Sequence, residues 1–156
     1  MEPNKHLDEW MLLTHRTGKE QGLMLALVAY VDGGCLGNPG SSGIGVIIEG
    51  SDGHRIRIAK WIGRQDNNVA EYVALLEALQ YAVAFKAETL HVYSDSEVVV
   101  RQMNGEYACR SSRLHSLNWI CRELARSLQF SISHVRRELN TEANGLAASA
   151  VREALS

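Results

Sequence analysis

The chain has 156 residues, enough for one domain with a sizeable core. With 46% hydrophobic and 22% charged residues it has a globular composition, which excludes a disordered chain. A formal charge of −2 excludes the overall basic footprint of a nucleic-acid binder, so a polyanion would have to meet a local patch.

Residues 1–22 are polar apart from Trp10, Met11, Leu12 and Leu13, which predicts a tail or short helix ahead of one domain spanning 23–156. Cys35, Cys109 and Cys121 are odd in number and lack C-x-x-C spacing, which points to a reducing compartment and away from a zinc site. The apolar run 23–31 is too short to span a bilayer, and no signal-peptide core precedes it, so a cytoplasmic protein without membrane contact is expected.

That run reads as a first strand from Leu23 to Asp32, apolar on both faces as in a sheet covered on both sides. It ends on the Asp32 carboxylate and passes into a glycine-rich bend from Gly33 to Gly40. Gly43–Glu49 and His54–Trp61 follow as strands of an antiparallel meander, with Ile56 and Ile58 facing the core and Arg55, Arg57 and Lys60 facing solvent. The period then changes. Asn67 and Asn68 are helix caps, and Tyr72, Leu75, Leu76, Leu79 and Val83 recur at helical spacing. With Asn68 as N-cap, Glu71 falls at N3, the acid of a capping box.

Thr89–Asp95 is a fourth strand that again ends on a carboxylate, and Ser94 or Ser96 caps a short helix closed by Gly105. Leu114, Leu117, Cys121, Leu124 and Leu128 mark a helix from Ser112 to Leu128, and Gln129–Val135 alternates as a fifth strand. Thr141 caps a last helix with Leu146, Ala147, Ala150, Val151 and Ala154 on its apolar stripe. The order βββαβααβα predicts an α/β fold with one mixed sheet, strands four and five running parallel to strand one.

If strands one and four are neighbours, Asp32 and Asp95 share the C-terminal edge of the sheet, where open α/β folds place ligands, and Glu71 can point into the same opening. Each acid alone has a plainer explanation, as a turn Asp, a capping Glu and a helix-entry Asp. Crowded carboxylates repel one another unless a cation sits among them, and oxygen-only donors select hard ions such as Mg²⁺ or Mn²⁺. Two such ions about 4 Å apart would activate a water and steady the leaving oxygen of a phosphodiester.

Four blocks, DGGCLGNPG from Asp32, NNVAEYVALLEAL from Asn67, VYSDSEVVVRQMNGEY from Val92 and HVRRELNTEANGLA from His134, together resemble type 1 ribonuclease H in order and spacing. The resemblance covers roughly residues 23–155. It implies the ribonuclease H-like fold, a five-stranded mixed sheet of order 3-2-1-4-5 flanked by helices. It also implies a monomer that cuts the RNA strand of RNA/DNA hybrids with two Mg²⁺ ions, or Mn²⁺ as substitute, leaving 5′-phosphate and 3′-hydroxyl ends. Asp32, Glu71 and Asp95 match three of the family's four metal-binding acids, and the fourth position is held by Asn144. His134 matches the proton-shuttling histidine, with Arg137 as the substitute candidate. Gly33, Cys35, Asn38, Asn67, Asn68, Ser96 and Arg137 match positions that meet the substrate.

The chain departs from the family pattern at three points. Asn144 keeps an oxygen donor but loses the charge, which leaves three readings open: a working natural variant, an engineered inactivation, or a degenerate homologue that binds hybrid without cutting it. Asp66 stands where Thr is frequent, beside a DNA-phosphate pocket that an acid would repel. Between Gly105 and Ser112 there is no room for a basic handle helix, and no N-terminal hybrid-binding module is visible, so the compact form predicts modest, salt-sensitive affinity.

Overall fold

A computed structural model describes residues 24–156, so the expected tail at 1–22 lies outside the described residues. Five strands form one sheet in the order β3-β2-β1-β4-β5. The strands are β1 (Ala26–Leu36), β2 (Gly40–Gly50), β3 (Arg55–Gln65), β4 (Thr89–Ser94) and β5 (Gln129–His134). The first three pair antiparallel, and β4 and β5 run parallel to β1. The helices are α1 (Asn67–Ala84), α2 (Glu97–Met103), α3 (Ser112–Ala125) and α4 (Thr141–Leu155), with a 3₁₀ turn at Arg137–Leu139. The topology expected from the sequence is the one observed.

The core lies between the sheet and α1, where Leu27, Ala29 and Val31 of β1 meet Tyr72, Leu75 and Leu79 with Leu90 and Val92 of β4. The strand expected to be apolar and covered on both faces is fully buried on this one. Val28 and Tyr30 on the other face are half-buried, because α4 packs chiefly on β2 and reaches β1 and β3 equally on either side. The packing there is backbone on backbone: a Cβ at Gly45 would stand 2.1 Å from the Ala143 carbonyl oxygen. The basic face of β3 is not left wholly to solvent. Arg55 and Arg57 both pair with Glu142 in the first turn of α4.

Three local expectations are corrected. The glycine stretch after Asp32 is not a bend. β1 continues to Leu36 paired with β2, and only Gly37 to Pro39 turn the chain, with Gly37 at φ 81°. Helix α1 is capped by Asp66, whose Oδ1 accepts from Val69 N at 2.8 Å, so Asn67 and Asn68 are its first residues and Glu71 is no capping-box acid. Likewise Asn140, rather than Thr141, occupies the N-cap position of α4.

Candidate functional site

Asp32 lies where β1 changes neighbours. β4 follows β1 through the pair Val31–Ser94 and then leaves, while β1 runs on against β2 through Leu36. A cleft therefore opens at Asp32 inside the strand rather than at its end. This is the kind of switch point at which α/β sheets bind ligands. Asp95, the first residue past β4, enters the same cleft because Ser96 caps α2, its Oγ accepting from Val99 N at 3.3 Å.

Glu71 arrives from α1 through a close approach that only glycine permits. A Cβ on Gly33 would stand 2.2 Å from the Ala70 carbonyl carbon, so the first turn of α1 rests directly on β1. Gly33 N then donates to Glu71 Oε2 at 3.2 Å. Side-chain oxygens of Asp32, Glu71 and Asp95 come within 4.8 Å of one another, the only such acidic group among the described residues.

Asp32 and Glu71 are buried. Burial, and after it the repulsion of Asp95, push the Asp32 carboxyl up to about 7, and Arg137 pulls it the other way. Burial, then the charges of Asp32 and Asp95, raise Glu71 well above the usual carboxylate range, and the Gly33 N–H opposes that rise. The cluster is unfavourable as three free carboxylates and calls for positive charge.

Asn144 lies in the first turn of α4, where its Nδ2 donates to the Arg137 carbonyl at 3.3 Å. Its Oδ1 is shielded from solvent without a hydrogen-bond partner, an unclaimed hard donor. An amide oxygen free in this way fits an oxygen-ligated cation. Arg137 is exposed, but its charge reaches Asp32. His134 is exposed at the end of β5, opposite Ser94 in register.

The remaining sequence candidates lie near the ends of strands and helices. Asn38 Oδ1 accepts from Asn67 N at 3.0 Å, tying the β1–β2 turn to the start of α1, and Asn68 is half-buried beside it. Cys35 and Ser42 are bonded across the β1–β2 ladder, Ser42 Oγ donating to Cys35 Sγ at 2.9 Å. Ser96 is spent on its cap and, through its own N–H, on Ser94 Oγ at 3.1 Å. Asp66 has a structural duty as the α1 cap.

Sequence reasoning missed Asn140. This amide is buried at the α4 N-cap position but does not cap, donating instead to Val31 O at 2.9 Å and to Asp95 Oδ2 at 3.5 Å. It thereby joins β1, the end of β4 and the start of α4. The available signal was an Asn directly before the last helix, where a capping role was assigned to the following Thr141.

A family model described as reverse transcriptase-like matches residues 30–150. The curated Ribonuclease HI of Halobacterium salinarum is 36% identical over 128 residues, covering 81% of this chain and 64% of that protein. The chain spans only 35% of the Mycobacterium tuberculosis bifunctional protein to which it is 36% identical. Among solved structures, RNase H1 from Halobacterium salinarum has a TM-score of 0.78 at 34% identity, covering 82% of this chain and 98% of that one. LC11-RNase H1, solved in complex with an RNA/DNA hybrid, also has a TM-score of 0.78 at 34% identity, covering 83% of this chain and 99% of that one. A shared strand order, a match across most of the domain and identity above a third of aligned positions place this chain in the type 1 ribonuclease H family.

Proposed function

We propose that the chain is an endonuclease that hydrolyses the RNA strand of RNA/DNA hybrids by two-metal-ion chemistry, leaving 5′-phosphate and 3′-hydroxyl ends. The observation that carries this reading is the convergence of the Asp32, Glu71 and Asp95 carboxylates at the cleft where β1 and β4 part. In this reading the three carboxylates and the free Asn144 Oδ1 hold two Mg²⁺ ions, for which Mn²⁺ can substitute. The ions supply Lewis-acid activation of water and charge stabilisation at the phosphorus.

The chain's own residues do the rest. The Gly33 N–H fixes the Glu71 carboxylate, and the Asn140 amide fixes Asp95. In this reading His134 is the candidate for proton transfer, with Arg137, a minor influence on the Asp32 carboxyl, as its substitute or as a group that steadies a phosphate. In the same reading the side chains of Asn38, Asn67 and Asn68 provide donors and acceptors for 2′-hydroxyls and backbone, the groups by which a protein distinguishes RNA from DNA, and Gly33, Cys35 and Ser96 complete the substrate-contacting set. The protein acts as a cytoplasmic monomer. No helix among the described residues is long and apolar enough to cross a membrane.

Labelled RNA/DNA, RNA/RNA and DNA/DNA duplexes, incubated with Mg²⁺ or Mn²⁺, test the proposal. RNA-strand cleavage confined to the hybrid is the expected result, and no cleavage with any divalent ion refutes it. The uncharged Asn144 motivates one second reading, a homologue that binds hybrid without cutting it; gel retardation of hybrid without cleavage in Mn²⁺ selects that reading.

A further inference from the structure

The residue after Asn144 is Gly145, and the surroundings of this pair suit a reaction that converts the amide to an acid. We propose that Asn144–Gly145 is a self-modifying site, at which spontaneous deamidation turns the uncharged member of the proposed metal set into a carboxylate.

The chemistry needs only water. Gly145 N, on losing its proton, attacks Asn144 Cγ; the bond from Cγ to Nδ2 breaks, ammonia leaves and a succinimide ring closes. Water then opens the ring. Attack at Cγ restores the original main chain with Asp at 144, and attack at the main-chain carbonyl carbon gives isoaspartate. The net change is Asn plus water to Asp, or isoaspartate, plus ammonia.

Regular helix geometry holds Gly145 N away from Asn144 Cγ, so the first turn of α4 must open for the ring to close. That turn is held by the Glu142 ion pairs to Arg55 and Arg57 and by the close contact of Ala143 on Gly45, and three local features work against them. The N-cap side chain makes no capping hydrogen bond, since Asn140 donates instead to Val31 O and Asp95. Loss of a cap weakens the first helical turn. Gly145 is itself a poor helix former, is exposed, and apart from its own helix backbone has no neighbour within 4 Å of where a Cβ would lie, so no packed side chain braces the main chain there. The Asn144 side chain is held by one long hydrogen bond, to Arg137 O at 3.3 Å, and its Oδ1 has no partner to lose.

A second Asn-Gly pair, Asn104–Gly105, lies at the C-terminus of α2, outside the acidic cleft, and serves as an internal comparator. The value of the conversion to the site rests on the proposed metal-binding role of residue 144; the conversion itself does not.

The test ages the purified full chain at neutral and mildly alkaline pH and follows the peptide carrying residue 144 by tandem mass spectrometry, with isoaspartyl methyltransferase labelling. Gly145→Ala is the control, because the added Cβ meets nothing and strengthens the helix while Asn104–Gly105 is untouched. Time-dependent replacement of amide by acid at 144, faster at alkaline pH and suppressed in Gly145→Ala, is the expected result. An unchanged Asn144 in a sample whose Asn104 has converted, or equal conversion in Gly145→Ala, overturns the proposal. Mn²⁺ titration by calorimetry tests the consequence without any nuclease assay: aged parent should bind more tightly than aged Gly145→Ala and approach fresh Asn144→Asp. Equal affinities would refute the gain of a ligand even where the mass change occurs.

Discussion

The side-chain amide of Asn140 donates to the main-chain oxygen of Val31 across 2.9 Å, and from there it also reaches Asp95 Oδ2. Val31 is the last β1 residue paired with β4, so this bond closes the floor of the cleft just where the sheet divides. Replacing Asn140 with Ala leaves a buried carbonyl unpaired, at a cost of about 1–3 kcal/mol. The expected outcome is a lower urea midpoint together with reduced turnover, because Asp95 loses its tether; unchanged turnover at lowered stability would show a purely structural role.

Gly33 is the contact that admits Glu71. Gly33→Ala puts a Cβ on the Ala70 and Glu71 backbone and should destabilise by roughly 1–3 kcal/mol or more, as overpacking does. Gly34→Ala, with nothing within 4 Å of its Cβ, should change stability little. Chemical denaturation of the pair checks both, and equal effects would mean that α1 does not rest on β1 at this point.

Stability of the metal-free chain should fall as pH rises through neutrality. The Asp32 carboxyl is raised from 3.8 to about 7 in the folded state, and Glu71 moves in the same direction, so in that window the folded chain holds more protons than the unfolded one. The contribution is fully present below the unfolded value and is lost as pH climbs through about 7. Mg²⁺ or Mn²⁺ should reverse the loss and release protons on binding. Thermal midpoints against pH, with and without divalent ion and in Asp32→Asn, measure this; a metal-free profile that rises over the same range would contradict it.

Arg137 and His134 should separate kinetically. The Arg137 charge is a minor influence on the Asp32 carboxyl, and Arg137 and the strand-end His134 are both exposed. His134→Ala is expected to lower turnover by roughly 10²-fold, the scale of a lost general acid–base group, with a smaller effect for Arg137→Ala. The reverse ranking, with hybrid affinity unchanged, would assign the proton transfer to Arg137.

Asn144→Asp should tighten divalent-ion binding and shift the metal concentration for half-maximal cleavage downward, since a carboxylate adds the charge that an amide lacks. Metal titrations of fresh parent and variant on labelled hybrid decide the point. Activity in the variant alone would mean that the parent is a binding homologue.

The sequence by itself determined the periodicities, and with them the number and order of strands and helices, because alternation and helical spacing are local signals of which face is buried. Asp32 and Asp95 were legible as carboxylates that end apolar runs, whereas Glu71 read locally as a capping acid, and the three joined as a set only through the expected topology and the resemblance to ribonuclease H. Tertiary structure alone decided how they meet. Asp32 lies inside a strand because β2 continues beside it after β4 has left, a pairing between residues distant in sequence. Glu71 is a cleft acid rather than a capping acid because Asp66 already satisfies the helix end and Gly33 lets the helix down onto the strand. The work of Asn140 is set by a carbonyl 109 residues away, and no local pattern carries such information.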